Sequence, residues 1–213
     1  MVNMSTEKSQ TQKTIVYIDG FNLYFGLKEK GWKKYYWLNL YSLAQKLLKP
    51  YQSLICVKYF TSRISLPPAK QKRQQIFLEA LQTLPGIDMY FGKYVTDTVE
   101  CNRCGNIIYK PNEKMTDVNI ATEMLSDVNQ DIVDCLILIS ADSDLSGPIR
   151  KIKNLCPEKR VIIAFPPNRF SYELAKLAHG YFTIGRKKIH DSVFPDEIEK
   201  TDGYVLKIPE EWQ

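Results

Sequence analysis

Histidine is almost missing from this sequence: His179 and His190 are its only two in 213 residues. His179 stands beside Leu174, Leu177 and Ala178 on a helical pattern, and His190 lies in a charged stretch near the end, so both read as structural. No apolar run approaches the roughly 18 residues that a membrane-spanning helix needs. The opening MVNMSTEKSQTQK lacks the apolar core of a secretory signal. The expected setting is the cytoplasm, with no membrane partner. Cysteine is sparse and odd in number, five in all, and Cys56 and Cys135 sit inside apolar runs where a free thiol behaves as a small hydrophobe. That excludes a disulfide framework and fits a reducing compartment. There is no G-x-x-x-x-G-K-[ST] loop and no G-x-G-x-x-G after the first strand, which disfavours P-loop hydrolysis and dinucleotide binding. No internal repeat or low-complexity segment appears. The net charge of +5 suits a polyanionic partner but falls short of a dedicated DNA-binding domain.

What is present is the composition of one globular domain, 44% hydrophobic and 25% charged, large enough to bury its own core. Apolar, β-branched runs at Thr14 to Ile18, Leu54 to Phe60, Ile87 to Tyr94, Asp134 to Ser140, Arg160 to Phe165 and Tyr181 to Ile184 predict short buried strands. Helical spacing covers Leu40 to Leu48, Pro68 to Leu84, Thr116 to Val128, Asp144 to Leu155 and Ser171 to His179. Buried strands alternating with crossover helices predict an α/β fold with a mostly parallel, doubly wound sheet. The domain is expected over 14–190, after a disordered segment at 1–13. An irregular insertion containing CNRCG spans about 96–113, and a peripheral tail covers 191–213.

In open parallel sheets the functional crevice lies at the carboxyl ends of the strands. The first strand runs TIVYI into Asp19-Gly20-Phe21-Asn22, and the fourth runs DCLILIS into Ala141-Asp142-Ser143-Asp144. A further acid, Asp117, follows Thr116 at a helix start. Taken singly, each is ambiguous, because Asp-Gly makes turns and acids cap helix N-termini. Taken together on one predicted edge, they form a set of repelling carboxylates best explained by a compensating cation. All-oxygen donors favour Mg²⁺ or Mn²⁺, ions that often share their coordination with phosphates. The first strand lacks two acids one residue apart, which weakens an aspartyl-phosphate reading.

The segments YIDGFNLYFGL (17–27), EKMTDVNIATEML (113–125), LILISADSDLSGPIRKI (136–152) and KRVIIAFPPNRFSYELAKLAHGYFTI (159–184) resemble the NYN domain family of the PIN-like nuclease superfamily, in its LabA-like branch. They span about 170 residues in the family's order, with the CxxCG insertion just ahead of EKMTD. The resemblance implies a PIN-like three-layer α/β/α sandwich and a metal-dependent ribonuclease. Asp19 matches its first-strand ligand, Asn22 the asparagine of D-G-x-N, Asp117 the acid of K-x-T-D, and Asp142 and Asp144 the pair in S-x-D-S-D. Ser140 and Ser143 are implied as supporting polar groups. Ala141 stands where the family commonly has Gly, a change that matters only if the backbone there needs a positive φ. Cleavage by metal-activated water would proceed without a covalent enzyme intermediate.

Weaker signals remain. Cys101 and Cys104 have the spacing of one zinc knuckle, which is half of a four-ligand site. Cys156, His190 or a second copy in a homodimer could complete it, or the pair could be two reduced thiols. The stretch KEKGWKKYYW offers Lys28, Lys33, Lys34 and Tyr36 for RNA contact, against the alternative of aromatics packing onto the sheet. Lys70, Lys72, Arg73, Arg150, Lys151 and Lys153 read as solvated helix faces. Two rival functions stay open: a catalytically silent RNA- or protein-binding module of the same fold, and an adhesion-type metal site at Asp142-Ser143-Asp144-Leu145-Ser146.

Overall fold

The structure, a computed structural model, describes residues 11–101 and 103–213. Strand β1 (Gln12–Asp19) leads into α1 (Gly20–Glu29), a 3-10 turn at Lys33–Tyr35 and α2 (Leu40–Leu47). Then come β2 (Gln52–Thr61), α3 (Pro68–Gln82) and β3 (Ile87–Phe91). A hairpin of β4 (Lys93–Glu100) and β5 (Ile107–Lys114) precedes α4 (Thr116–Asn129) and β6 (Cys135–Ile139). A 3-10 turn at Ser143–Leu145 opens α5 (Ser146–Leu155), followed by β7 (Arg160–Phe165), α6 (Tyr172–Leu177), β8 (Gly180–Thr183) and α7 (Arg186–His190). The chain ends in β9 (Glu197–Glu199), β10 (Val205–Lys207) and a last 3-10 turn at Glu210–Trp212.

Six strands form one parallel sheet in the order β3-β2-β1-β6-β7-β8. Successive crossovers move outward from β1 in one direction, then restart at β6 on its other side. The chain therefore reverses between β1 and β6, and the crevice outside their carboxyl ends is the topological switch point. The inner stretches of β1, β6 and β7 are mostly apolar because both faces are covered. On β1, Val16 and Ile18 join the core under α1, α2 and α3, while Ile15 and Tyr17 join the core under α4, α5 and α6. This is the expected α/β/α sandwich.

Helix α1 was not predicted, since GFNLYFGLKE carries two glycines and aromatics in place of strong helix formers. Tertiary packing explains them. A Cβ on Gly20 would meet the Phe60 carbonyl oxygen and the Tyr59 ring at 2.7 Å, and one on Gly26 would meet the Pro167 carbonyl oxygen at 2.6 Å. The glycines let the helix lie close against its neighbours, which outweighs their low propensity.

Two further expectations change. The insertion is not irregular: β4 and β5 pair antiparallel from Lys93↔Lys114 to Glu100↔Ile107, a ribbon with Cys101 and Cys104 at its tip. The segment at 191–213 is no peripheral tail. Val193 bridges Leu38, the Trp37 indole N–H donates to the Pro195 carbonyl at 2.8 Å, and Phe194, Leu206, Ile208 and Trp212 are buried. Of the expected N-terminal segment, Gln12 and Lys13 already belong to β1, and residues 1–10, like Asn102 of the CNRCG motif, lie outside the described residues. Among the described residues no helix is long and apolar enough to cross a membrane.

Candidate active site

Asp19 ends β1 and caps α1. Its Oδ1 accepts the Asn22 backbone N–H at 2.9 Å, and its Oδ2 accepts the Ser140 hydroxyl at 3.0 Å. It is 5% exposed, and Ser140 is fully buried. Ser140 Oγ in turn accepts the Asp142 backbone N–H at 3.0 Å, so one hydroxyl ties the end of β1 to the loop after β6. The Asn22 side chain makes a second tie, its Oδ1 accepting the Ala141 N–H at 3.2 Å. Ala141 is not among the residues with positive φ, so the family's glycine is not needed there.

Asp142 caps the 3-10 turn, its Oδ1 accepting the Asp144 N–H at 3.0 Å; Asp144 and Ser143 are exposed. Asp117 stands in the first turn of α4, behind Met115 in the left-handed region at φ 79°. Its carboxyl is held above the ordinary aspartate range, first by burial and then by the charges of Asp142 and Asp144. Acids of α4 and of the loop after β6 thus share one electrostatic neighbourhood, and Asp19 is tied to that loop through Ser140.

Capping and metal binding draw on the same carboxylates. Asp19 and Asp142 each give an oxygen to a backbone N–H, and among the described residues no three His, Cys, Asp or Glu side chains form a ready-made ligand group. The donor chemistry nonetheless fits a hard divalent cation, since the set is acidic and all-oxygen and Asp117 carries a repulsion that a cation relieves. Cys101 and Cys104 gain no third ligand among the described residues. The His179 ring is spoken for: its Nδ1 accepts the Val161 N–H at 3.0 Å, and burial first, then Lys153 and Arg160, lowers its pKa.

A pocket of about 450 Å³ opens beside Asp19, with Gly20 and Phe21 in its wall. The residues expected to touch RNA divide here. Lys28, Lys33 and Tyr36 line this pocket, whereas Lys34 faces a second, more open depression with Arg186 and His190. Tyr35 and Trp37 are core, as the packing alternative held. Lys70 and Arg73, read from the sequence as a solvated face, also line the pocket, and so does Trp212 from the C-terminal turn.

The structure also shows a buried charged cluster that the sequence had hidden inside the apolar run LICVKYF. Lys58 on β2 is 6% exposed and pairs with Glu123 and Asp127 of α4, each at 2.7 Å. The Tyr17 hydroxyl donates to Asp127 at 2.6 Å. A lysine among the buried residues Val57 to Phe60 of an apolar run was the one available signal.

A family model for the NYN domain matches residues 13–185. The chain belongs to the NYN domain family. This NYN domain covers both ends of the site, from Asp19 on β1 to Asp144 beyond β6. Among solved structures it is similar to a protein of unknown function from Vibrio parahaemolyticus, with 18% identity, TM-score 0.55, and coverage of 83% of this chain and 95% of that one. At that identity the likeness shows the fold alone. A second structure, MurG of Acinetobacter baumannii, aligns at 13% identity and TM-score 0.38 over 86% of this chain and 43% of that one. No curated protein matches the chain.

Proposed function

We propose that this NYN domain, of the LabA-like branch, is a divalent-metal-dependent ribonuclease of the cytoplasm. The observation that carries the reading is the shared field at the switch point, where burial and then Asp142 and Asp144 raise the pKa of Asp117, while buried Asp19 is tied to the same loop through Ser140. Asp19, Asp117, Asp142 and Asp144 would hold Mg²⁺ or Mn²⁺. When bound, such an ion lowers the pKa of a water and offsets the charge of the scissile phosphate. The chain's own contribution is placement. Ser140 fixes the Asp19 carboxylate, Asn22 fixes the loop that carries Asp142, and the exposed Asp144 leaves the crevice open to a strand. Lys28, Lys33, Lys34 and Tyr36 lie downstream on the α1 side, suited to holding RNA, and five unpaired cysteines suit a reducing cytoplasm.

The test is cleavage of a mixed-sequence single-stranded RNA with Mn²⁺, Mg²⁺ or EDTA, comparing wild type with Asp142→Asn and with Asp142→Asn/Asp144→Asn, all checked for folding. Metal-dependent cleavage that both variants lose supports the reading, and cleavage retained by either sinks it. One observation favours a second reading: the acids do not close into a ligand group among the described residues. RNA binding without cleavage under any metal would establish the silent binding module instead.

A further inference from the structure

The pocket beside Asp19 has a chemistry of its own. Tyr24 and Tyr36 lie in its wall with ring centroids 4.9 Å apart. Tyr36 meets Trp212 edge-on at 5.8 Å, and Trp212 meets Phe77 at 6.2 Å. The wall is therefore a continuous run of aromatic rings drawn from α1, the chain before α2, α3 and the C-terminal turn. Arg73 pairs with Glu211 at 2.5 Å, which pins that turn in place. Around the rings, Lys28, Lys33 and Lys70 are exposed and, among the described residues, have no carboxylate ion-pair partner. An apolar, aromatic interior with a rim of four cations, Lys28, Lys33, Lys70 and Arg73, against the single carboxylate of Glu211 matches a ligand that has a flat π-face joined to phosphate. The volume of about 450 Å³ falls within the roughly 300–1,000 Å³ of pockets that enclose small molecules.

We propose that this pocket receives one unpaired nucleobase of the strand, stacked on the Tyr24–Tyr36 wall, with the adjoining phosphates on Lys28, Lys33 and Lys70. The position supports it: Gly20 and Phe21 of the pocket follow Asp19 directly, so a base held here presents its neighbouring phosphodiester toward the acids. The proposal deepens the ribonuclease reading and rests on it for the identity of the ligand as the strand to be cut. It makes single-strandedness the selection rule, because a base in a duplex cannot enter without unpairing and unstacking.

The experiment measures binding with EDTA present, so that cleavage cannot interfere. A 5′-fluorescein-labelled single-stranded RNA is followed by anisotropy and competed with adenosine 5′-monophosphate or with ribose 5-phosphate, which carries the phosphate and sugar without the base. The expected result is displacement by the nucleotide at concentrations at least about tenfold lower than by the sugar phosphate, the scale of one base stack. A blunt RNA duplex should bind about tenfold more weakly than the single strand for the same reason. Tyr36→Ala should weaken binding about tenfold, and Tyr36→Phe, which keeps the ring, should restore most of it. Tyr24→Leu serves as a second probe of the wall, and thermal melting checks the fold of each variant. Equal competition by ribose 5-phosphate, equal affinity for the duplex, or unchanged binding in folded Tyr36→Ala and Tyr24→Leu would overturn the pocket. The two readings fail separately. Base-dependent binding without cleavage removes the nuclease and keeps the pocket, whereas cleavage with base-independent binding does the reverse.

Discussion

The Ser140 hydroxyl stands between two acids of the site, donating to Asp19 Oδ2 and accepting from the Asp142 backbone N–H, both at 3.0 Å. It is fully buried, so no water can replace it at either partner without a cavity. Ser140→Ala should cost about 1–3 kcal/mol, since a buried carboxylate loses a donor and a part-buried amide its acceptor. The fold survives that loss. Cleavage should fall at least about tenfold, the effect of roughly 1.4 kcal/mol of mispositioning in a transition state, and kinetics beside a thermal melt would separate the two effects. Unchanged cleavage with a lowered melting temperature would make Ser140 a purely structural tie.

Asp117 gives a pH-dependent signature. Its folded pKa lies above the unfolded value, because burial and then Asp142 and Asp144 disfavour the charge despite its place in the first turn of a helix. Ionisation therefore subtracts stability as pH rises through and beyond the ordinary aspartate range, and below that range nothing is lost. Metal-free Asp117→Asn should melt about 1–2 °C above wild type near neutral pH, a small gain because the group is partly exposed and solvent screens it. The gap should close in acid. Mn²⁺ should raise the melting temperature of wild type more than that of the variant, and an equal rise in both would remove Asp117 from the ligand set.

Lys58 anchors the helix that carries Asp117. Burial works against its charge, but the hydrogen bonds it donates to Asp127 and Glu123 prevail and hold its pKa above the ordinary lysine value. Its contribution is thus fully present below that ordinary value and is lost only at higher pH. Lys58→Met leaves Asp127 buried without its counter-charge, at a cost of about 3–5 kcal/mol. In a chain of this size that is a fall of roughly 10 °C in melting temperature. The loss should be constant from mildly acidic to mildly alkaline pH, and scanning calorimetry across that range would show it.

The cysteines should react in a fixed order. The Cys101 thiol is lowered by the Arg103 backbone, then by the Cys104 side chain and backbone, while burial pushes Cys56 and Cys135 up to about 11. Iodoacetamide near neutral pH should modify Cys101 well before Cys56 or Cys135, as peptide mass mapping would record. Zinc held through the ribbon tip would be lost in Cys104→Ser, and metal analysis of wild type against that variant separates a knuckle from two free thiols.

The site was legible from sequence as far as its acids sit at strand ends. TIVYID and LILIS-A-D are continuous apolar runs ending in Asp, a pattern that only strands buried on both faces produce. The aromatic pocket was half legible. KEKGWKKYYW advertised lysines and rings, yet Tyr35 and Trp37 went to the core and only Tyr36 kept to the pocket, because burial depends on what packs above a residue. Trp212 had no local signal at all, standing 139 residues beyond Arg73, whose partner Glu211 brings it into the wall.

By itself the sequence determined the alternation of strand and helix, the parallel sheet that alternation requires, and the acids at its carboxyl edge, since these depend on patterns within ten or fifteen residues or so. Only the tertiary structure decided the strand order β3-β2-β1-β6-β7-β8, and with it the reversal that sets Asp19 beside Ser140 and Asp142. It also decided the helix at GFNLYFGLKE, the ribbon around Cys101 and Cys104, and the packing of the last twenty or so residues. Each of these rests on contacts between segments far apart in the chain: a glycine against a distant carbonyl, a strand against its later partner, an indole under a helix. A local pattern records which surface a segment must bury, but the partner that covers it is chosen by the whole fold.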